Sequence, residues 1–452
     1  MRQSLEADYL IIGAGAMGLA FADEIIHESK DATVILVDRR AKAGGHWNDA
    51  YPFVTLHQPA LYYGVNSEKL GSGGGDLVSR AEILSYNEKV IKKLTATGRF
   101  TFLPLCEYGD DGRITSSIAP DLAYDIQVHT KTVDATYMNV MVPSTTTPKY
   151  DVSPDIPLVP INAIAEIKEP WDRYVVIGAG KTGMDAALYL LERGVDPDRI
   201  TWIMPNDAWF LNRKALMPKE LSSDFPSQFR CIVESKNLDE ILTRLEDEGR
   251  LLRLDPNVWP TKYRCATVIT EELEALRQIK DVVRMGRVIR INSSSIEFTE
   301  GSRPTQLNTL YVDCTADGLA KRPPRQVFDG NQITLQSISM CQQVFSAAAL
   351  AAIELLHDSD AKKNELSQPV PHPEFSIDYL AALTVTIKNL EGLAKAMPIW
   401  VLRKRLSLNH HVGMLGFLRL LVGMVRFARD ASDRIETILQ DAKHTGNESP
   451  AA

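Results

Sequence analysis

Cysteine and long apolar runs are both scarce in this sequence. None of the five cysteines forms a CxxC pair, which favours a reducing compartment and argues against a disulfide-reductase redox motif. No run of about 18 uncharged apolar residues occurs, so no membrane-spanning helix is expected. The first apolar strand starts at Asp8, which leaves no room for a signal peptide. We therefore expect a cytoplasmic protein.

An excess of basic charge is missing as well. The 50 Lys and Arg residues against 58 Asp and Glu residues give a net charge of −8. Nucleic acid is therefore excluded as the main partner, because binding phosphates requires a basic face. No metal site is predicted. The 452 residues, at about 150 per domain, predict two or three domains.

The first strong motif follows an apolar strand that ends at Ile12. Gly13, Gly15 and Gly18 form a GxGxxG turn that opens a helix, and a second apolar strand ends at Asp38. Such glycines allow a tight turn, the approach of a pyrophosphate and close packing of helix on strand. The pyrophosphate would lie at the positive N-terminus of the helix. The acid at the tip of the second strand would accept hydrogen bonds from a ribose, so this unit predicts a dinucleotide site.

A second unit of the same kind begins at Tyr174. Its strand leads into Gly178-Ala179-Gly180-Lys181-Thr182-Gly183, a helix follows, and the next strand ends at Met204-Pro205-Asn206. An acid at that tip favours NAD and repels a 2′-phosphate. The absence of an acid at this tip, with Arg213 nearby, favours NADPH. Asp207 complicates this assignment, and Arg213 as a solvated loop cation is the alternative.

These motifs together resemble the class B flavin monooxygenases, which include N- and S-oxygenating flavin monooxygenases and Baeyer–Villiger enzymes. The resemblance rests on both glycine turns, Asp38, Gly44-Gly45-x-Trp47, Tyr51-Pro52 and Val65-Asn66-Ser67. It implies an α/β fold with two Rossmann-like dinucleotide-binding domains and a C-terminal helical segment. The FAD domain would cover residues 1–165 and 295–368, and the inserted NADPH domain residues 166–294.

The motifs and the resemblance assign residues to each cofactor. Trp47 would form a wall beside the flavin, although a buried Trp is also ordinary core. Near Asp317, a strand that ends in Asp-Cys-Thr-Ala resembles the last FAD-domain segment. The predicted set is Gly13, Gly15, Gly18, Asp38, Arg39, Gly45, Trp47 and Asp317 for FAD, and Gly178, Gly180, Lys181, Thr182, Gly183 and Arg213 for NADPH.

The reaction that the resemblance implies is oxygenation of a small organic substrate by molecular oxygen. NADPH would reduce the flavin, and a C4a-peroxyflavin would then carry out N-, S- or Baeyer–Villiger-type oxygenation. His57 and Gln58 are candidate catalytic groups facing the flavin, with a satisfied loop histidine as the alternative for His57. Residues 158–164 lack the Gly and His of the family fingerprint expected there. A flavin-dependent dehydrogenase or oxidase, or a non-catalytic dinucleotide-sensing protein, is therefore the alternative.

The C-terminal region begins with the stiff segment Pro369–Pro373. It covers residues 369–442, of which residues 376–440 are predicted to be helical and too apolar for a free tail. Residues 443–452 are predicted to be disordered. A lid over the substrate entrance is the favoured interpretation, and a homodimer face or a peripheral membrane contact is the alternative. The apolar positions that need a partner surface are Leu402, Leu406, Leu415, Leu418 and Val422.

Overall fold

The computed structural model describes residues 2–72, 74–109, 111–119, 121–316 and 318–444. The strands are β1 Arg2–Ile12, β2 Val34–Asp38, β3 Phe100–Pro104, β4 Cys106–Tyr108, β5 Ile114–Ser116, β6 Ala123–Asp134, β7 Asp151–Val152, β8 Leu158–Pro160, β9 Arg173–Ile177, β10 Ile200–Ile203, β11 Ala208–Asn212, β12 Leu251–Leu252, β13 Lys262–Val268, β14 Asp281–Val283, β15 Val288–Ile291, β16 Ser295–Phe298, β17 Gly301–Pro304, β18 Thr309–Asp313, β19 Phe328–Asp329 and β20 Gln332–Thr334. The helices are α1 Ala16–Glu28, α2 Arg80–Thr95, α3 Lys181–Glu192, α4 Pro218–Val233, α5 Leu238–Asp247, α6 Thr270–Leu276, α7 Gln343–Leu356, α8 Asp360–Glu365, α9 Ser376–Ala396, α10 Pro398–Arg403 and α11 Gly413–His444.

The first domain is built on a sheet in the order β19-β20-β6-β1-β2-β3. The strands from β20 to β3 run parallel, so their carboxyl ends meet at one edge, where ligands bind in such folds. Helix α1 packs against α7, and Ala347 to Ala351 of α7 are fully buried. These small side chains let the two helices approach closely and hold the start of α1 at the sheet edge.

The second domain has its own parallel sheet, in the order β14-β10-β9-β18-β8. The composition of this second sheet corrects the expected FAD-domain ranges 1–165 and 295–368, because two of its strands, β8 and β18, fall inside those ranges. Strand β18 pairs with β9, and β8 pairs with β18. The physical reason is burial: every residue of β18 is buried, as a central parallel strand requires. The chain therefore enters the second sheet before residue 166, at β8, and returns to the first sheet only at β19.

The C-terminal helices pack on both domains. Trp400 and Leu406 lie in the core of the first domain, and Arg405 donates hydrogen bonds to the carbonyls of Leu61, Tyr63 and Val65. Helix α11 lies against α4, and its Ala431 and Ile435 are fully buried. No helix within the described ranges combines the length and apolar character that crossing a bilayer requires.

The expected apolar contact face of this segment is only partly buried. Leu406 is fully buried, but Leu402, Leu418 and Val422 are 41%, 49% and 64% exposed. The side chain of Leu415 lies outside the described part, as do residues 445–452 of the predicted tail. The chain's own domains therefore cover Leu406 but not Leu402, Leu418 or Val422, and Ala431 and Ile435 make the buried contacts of α11. The need of the exposed positions for a partner surface stays a prediction.

Candidate active site

One cavity of about 1840 Å³ reaches both glycine turns. It lies at the carboxyl ends of the central strands of the two sheets. Most of the residues predicted from the sequence line it, namely Gly13, Gly15, Asp38, Arg39, Gly45, Trp47, His57, Gln58, Gly178, Gly180, Lys181 and Thr182. Gly18 and Gly183 lie behind them, inside α1 and α3, and Arg213 lies away from the cavity.

The first turn has the backbone that its glycines predict. Gly13 has a φ of +103°, and its N–H donates to the carbonyl of Val37 at 2.8 Å. A Cβ at Gly18 would lie 2.0 Å from the Gly13 oxygen, so only glycine lets the helix start this close. Gly15 is the N-cap of α1. Because glycine has no capping side chain, the first N–H groups of the helix remain for an anion.

Asp38 is fixed at the tip of β2. Its carboxylate accepts the Ala14 N–H at 2.7 Å and the Arg40 N–H at 2.8 Å, and the residue is only 6% exposed. Two backbone donors leave lone pairs on both oxygens. The carboxylate can therefore accept further hydrogen bonds from the cavity, and its assignment to a ribose stays a prediction.

A glycine-rich loop faces the first turn. A Cβ at Gly45 would lie 3.1 Å from the Cα of Gly15, so the two backbones nearly touch. Trp47 follows in this loop, and its indole N–H donates to the hydroxyl of Tyr63 at 2.8 Å. The side chain is buried but lines the cavity, so Trp47 is fixed as a wall beside the first turn.

The second turn repeats this geometry. Gly178 has a φ of +131°, and its N–H donates to the carbonyl of Ile203 at 3.0 Å. A Cβ at Gly183 would lie 2.0 Å from the Gly178 oxygen, and a Cβ at Gly180 would meet nothing within 4 Å. The backbone at the start of α3 is therefore open to a ligand. Lys181 forms an ion pair with Asp185, which also accepts the hydroxyl of Tyr51.

Arg213 does not serve the second turn, and this prediction is corrected. Its guanidinium donates to both carboxylate oxygens of Glu272, at 2.9 and 2.8 Å, and to the carbonyl of His57 at 2.9 Å. The residue is 7% exposed. The Nε and Nη2 donors are thus taken up by Glu272, Thr267 and the His57 carbonyl, and Arg213 does not line the cavity. Arg213 instead holds the loop that carries His57.

Two other residues define the tip of β10. Asp207 is buried and forms two hydrogen bonds with Arg284, at 2.7 and 3.0 Å, so its charge is neutralised. Arg287 is exposed and lines the cavity together with Pro205 and Asn206. It follows β14, the parallel neighbour of β10. Sequence reasoning missed Arg287, because 81 residues separate it from the tip and no motif marks it.

His57 lies between the two domains. Its Nδ1 accepts the Thr267 N–H at 3.4 Å, and its carbonyl accepts the Thr267 hydroxyl. Burial, with the charges of Lys181 and Arg213, lowers the pKa of His57 to about 3. The ring is therefore neutral at pH 7, and the remaining proton lies on Nε2. Gln58 lines the cavity beside it, whereas Asp317 lies outside the described residues and its assignment stays a prediction.

The segment before α9 and α9 itself cover the cavity. Asp378, Ala381 and Val385 of α9 line it, as does the segment 369–375. Glu374 forms ion pairs with Lys262 at 2.9 Å and Lys321 at 2.8 Å. Although burial opposes it, these two lysines lower the pKa of Glu374 to about 2. The ion pairs fix the cover to β13 and to the segment between β18 and β19.

Two cysteines that are 76 residues apart meet in the cavity wall. Cys265 of β13 and Cys341 are joined as a disulfide, with their Cα atoms 6.2 Å apart. A ring nitrogen of His372 lies within 4.8 Å of both sulfur atoms. Two thiolates and an imidazole are zinc ligands when reduced, whereas the disulfide leaves only the imidazole. The sequence spacing gave no signal for this cluster.

The comparisons with known proteins fit this architecture. No protein-family model matches the chain. Two proteins described as uncharacterized, Rv2000 of Mycobacterium tuberculosis and Mb2023 of Mycobacterium bovis, are each 44% identical over 405 residues, covering 86% of this chain and 75% of theirs. Among solved structures, an oxidized steroid monooxygenase bound to NADP is 13% identical, with a TM-score of 0.50 over 98% of both chains. Such a likeness establishes the fold, and it confirms the predicted one. The chain therefore belongs to the family of Rv2000 and Mb2023 and has the fold of the class B flavin monooxygenases.

Proposed function

We propose that the protein is an FAD- and NADPH-dependent monooxygenase that oxygenates a small organic substrate. The observation that carries the proposal is the single cavity lined by both glycine turns. Hydride transfer between two dinucleotides requires both in one enclosed space, and the protein's task is to orient them. Separate pockets would not support such a transfer.

The residues present fit both cofactors. For FAD, the open N-terminus of α1 would bind the pyrophosphate, Asp38 the ribose, and Arg39 a phosphate at the cavity rim. For NADPH, α3 begins at the unobstructed Gly180, with Thr182 beside it. Arg287 follows β14, the neighbour of β10, and lines the cavity together with Pro205 and Asn206, and we assign it to the 2′-phosphate. When bound, the flavin supplies the hydride and oxygen chemistry.

The chain's own residues prepare the space between the cofactors. His57 is neutral and fixed by Arg213 and Thr267, so its Nε2–H is a donor that does not change charge near pH 7. Gln58 adds a second polar group at the same place. The segment 369–375 and α9 exclude water from above, which protects reactive intermediates from hydrolysis. The C-terminal segment is thus a lid, the interpretation that its contacts support best.

The test is oxygen incorporation into a probe substrate. Flavin-loaded enzyme is mixed with NADPH, isotope-labelled dioxygen and, in turn, cyclohexanone, methyl phenyl sulfide and N,N-dimethylaniline. The proposal expects one labelled oxygen atom in a lactone, sulfoxide or N-oxide and the other in water, with one NADPH consumed per product. Hydrogen peroxide in proportion to NADPH, with no labelled organic product, would contradict it.

A flavin-dependent oxidase or dehydrogenase is the second candidate. The observation that favours it is segment 158–164, which forms β8 and the start of a short helix and lacks the Gly and His of the monooxygenase fingerprint. The peroxide outcome above supports this candidate. A flavin that neither NADPH nor NADH reduces would instead indicate a dinucleotide sensor.

Truncation after Gln368 tests the lid. Loss of α9 and α10 should speed flavin release and cause aggregation, because Trp400 and Leu406 belong to the first-domain core. A truncated protein that stays soluble, retains FAD and loses only its sedimentation with anionic liposomes would identify a membrane contact. Loss only of a dimer in sedimentation velocity would identify a dimer face.

A further inference from the structure

The disulfide between Cys265 and Cys341 joins parts of the chain that no sequence motif connects. Cys265 belongs to β13, and Cys341 precedes α7, which belongs to the first domain. Their Cα atoms are 6.2 Å apart, a distance that a disulfide can span. Both residues line the cofactor cavity. The bond is therefore accessible from the cavity in which both dinucleotides are expected.

Both cysteines lie on segments that border the cavity. Thr267, two residues beyond Cys265 on β13, contacts His57 through its N–H and its hydroxyl. Cys341 lies two residues before Gln343, the first residue of α7, and Gln343 and Val344 also line the cavity. The disulfide thus joins two segments that border the cavity, and one of them also contacts His57.

The surroundings of this pair differ from those of the other described cysteines. His372 lies within 4.8 Å of both sulfur atoms, and Arg264 precedes Cys265 and also lines the cavity. Cationic neighbours stabilise thiolates and make them reactive. In contrast, burial raises the pKa of the Cys231 thiol to about 12 and that of Cys314 well above its usual value. Those thiols are protonated and unreactive.

We propose that the Cys265–Cys341 disulfide is redox-active and accepts a second pair of electrons from NADPH through the flavin. The inference rests on the proposed binding of FAD and NADPH. The disulfide would take two electrons, which a bound flavin would supply, the S–S bond would break, and each sulfur would take one proton. The sum is NADPH, one proton and the disulfide giving NADP+ and two thiols. His372 is the group placed to pass protons to the sulfurs.

The test is an anaerobic titration of the flavin-loaded enzyme with NADPH. The wild type should consume two equivalents of NADPH per FAD, one for the flavin and one for the disulfide. Cys265→Ser and Cys341→Ser should each consume one. As the matched control, Cys231→Ala removes a buried thiol outside the cavity and should still consume two.

Counting thiols in denaturant gives a readout that does not depend on catalysis. Three of the five cysteines are free in the structure, so the count should rise from three to five after NADPH. Non-reducing peptide mapping should show the Cys265–Cys341 link before reduction only. The wild-type count decides the question even if a cysteine variant fails to fold.

Two failures can be told apart. In the first, NADPH fully reduces the flavin, but only one equivalent is consumed and three thiols remain. The disulfide is then only structural, and this inference is overturned. If the protein binds no FAD, or NADPH does not reduce it, the proposed function itself fails, and the inference fails with it.

Discussion

In both glycine turns the first glycine donates its N–H to the last residues of the neighbouring strand, at 2.8 and 3.0 Å. In both, a Cβ at the third glycine would lie 2.0 Å from the first glycine's oxygen. The surroundings differ. The first turn is covered by Gly45 and Trp47 and has Asp38 at its strand tip, whereas the second faces open space at Gly180 and has its acid, Asp207, turned inward to Arg284.

This difference teaches what the motif determines and what it does not. The glycines determine the backbone and the free N-terminus of the helix, which are common to any pyrophosphate site. The adjacent strand tip and the facing loop decide which dinucleotide binds and how firmly it is enclosed. A closed first turn suits a cofactor that stays bound, and an open second turn suits one that binds and leaves.

The largest expected effect comes from placing the same side chain in each turn. Gly15 and Gly180 have φ values of −78° and −82°, so valine causes no backbone strain at either. Gly15→Val should give colourless protein without FAD. Gly180→Val should remain fully yellow, with flavin reduction by NADPH slowed roughly a hundredfold, because small misplacements have that effect. Flavin content and anaerobic reduction rates measure both, and a yellow Gly15→Val protein would refute the assignment.

The next effect tests Arg213 as a structural residue. Arg213→Ala leaves Glu272 without its partner, and breaking a buried pair typically costs about 3 kcal/mol of unfolding free energy. Lys214→Ala is the matched control, because its pair with Glu271 is more than half exposed on both sides, and little change is expected. Urea denaturation measures both variants. If Arg213→Ala instead keeps its stability but loses NADPH preference, the original sequence interpretation is restored.

Residues near in sequence were predictable, and those assembled from distant segments were not. The two turns and Asp38 lie where their spacing placed them, because a strand, a turn and a helix close over a few residues. Arg213 was assigned from proximity along the chain, but its partners Glu272 and Thr267 are more than 50 residues away. Strand β18 was assigned to the first sheet because its motif resembled a family segment, whereas pairing with β9 depends on burial in the whole sheet.

A smaller effect tests Arg287, which we assign to the 2′-phosphate at the second turn in place of Arg213. Removing one charged contact to a phosphate costs about 1.5–3 kcal/mol. Arg287→Ala should therefore raise the KM for NADPH roughly ten- to a hundredfold and leave the KM for NADH unchanged. The control is Arg290→Ala, since Arg290 is exposed and bound to Asp151 at 3.3 Å. Steady-state kinetics with both cofactors decide, and an equal loss with NADH would exclude a 2′-phosphate contact.

The smallest effect concerns the buried histidines near the cavity, His46 in the loop that covers the first turn and His57 between the domains. Burial, with nearby cations, lowers the pKa of His57 to about 3 and that of His46 to about 4, below the ordinary value near 6.5. The unfolded chain therefore binds more protons as the pH falls below about 6.5, and stability is lost with decreasing pH. Since His57 is only half-buried, its contribution to the loss of unfolding free energy at pH 5 is about 1 kcal/mol. His57→Gln should reduce the loss of unfolding free energy between pH 7 and pH 5 by that amount, measured by urea denaturation. His129→Gln is the control, because His129 is an exposed histidine on β6, and this variant should keep the wild-type pH dependence. An unchanged pH dependence in His57→Gln would show that His57 is already charged when the protein is folded.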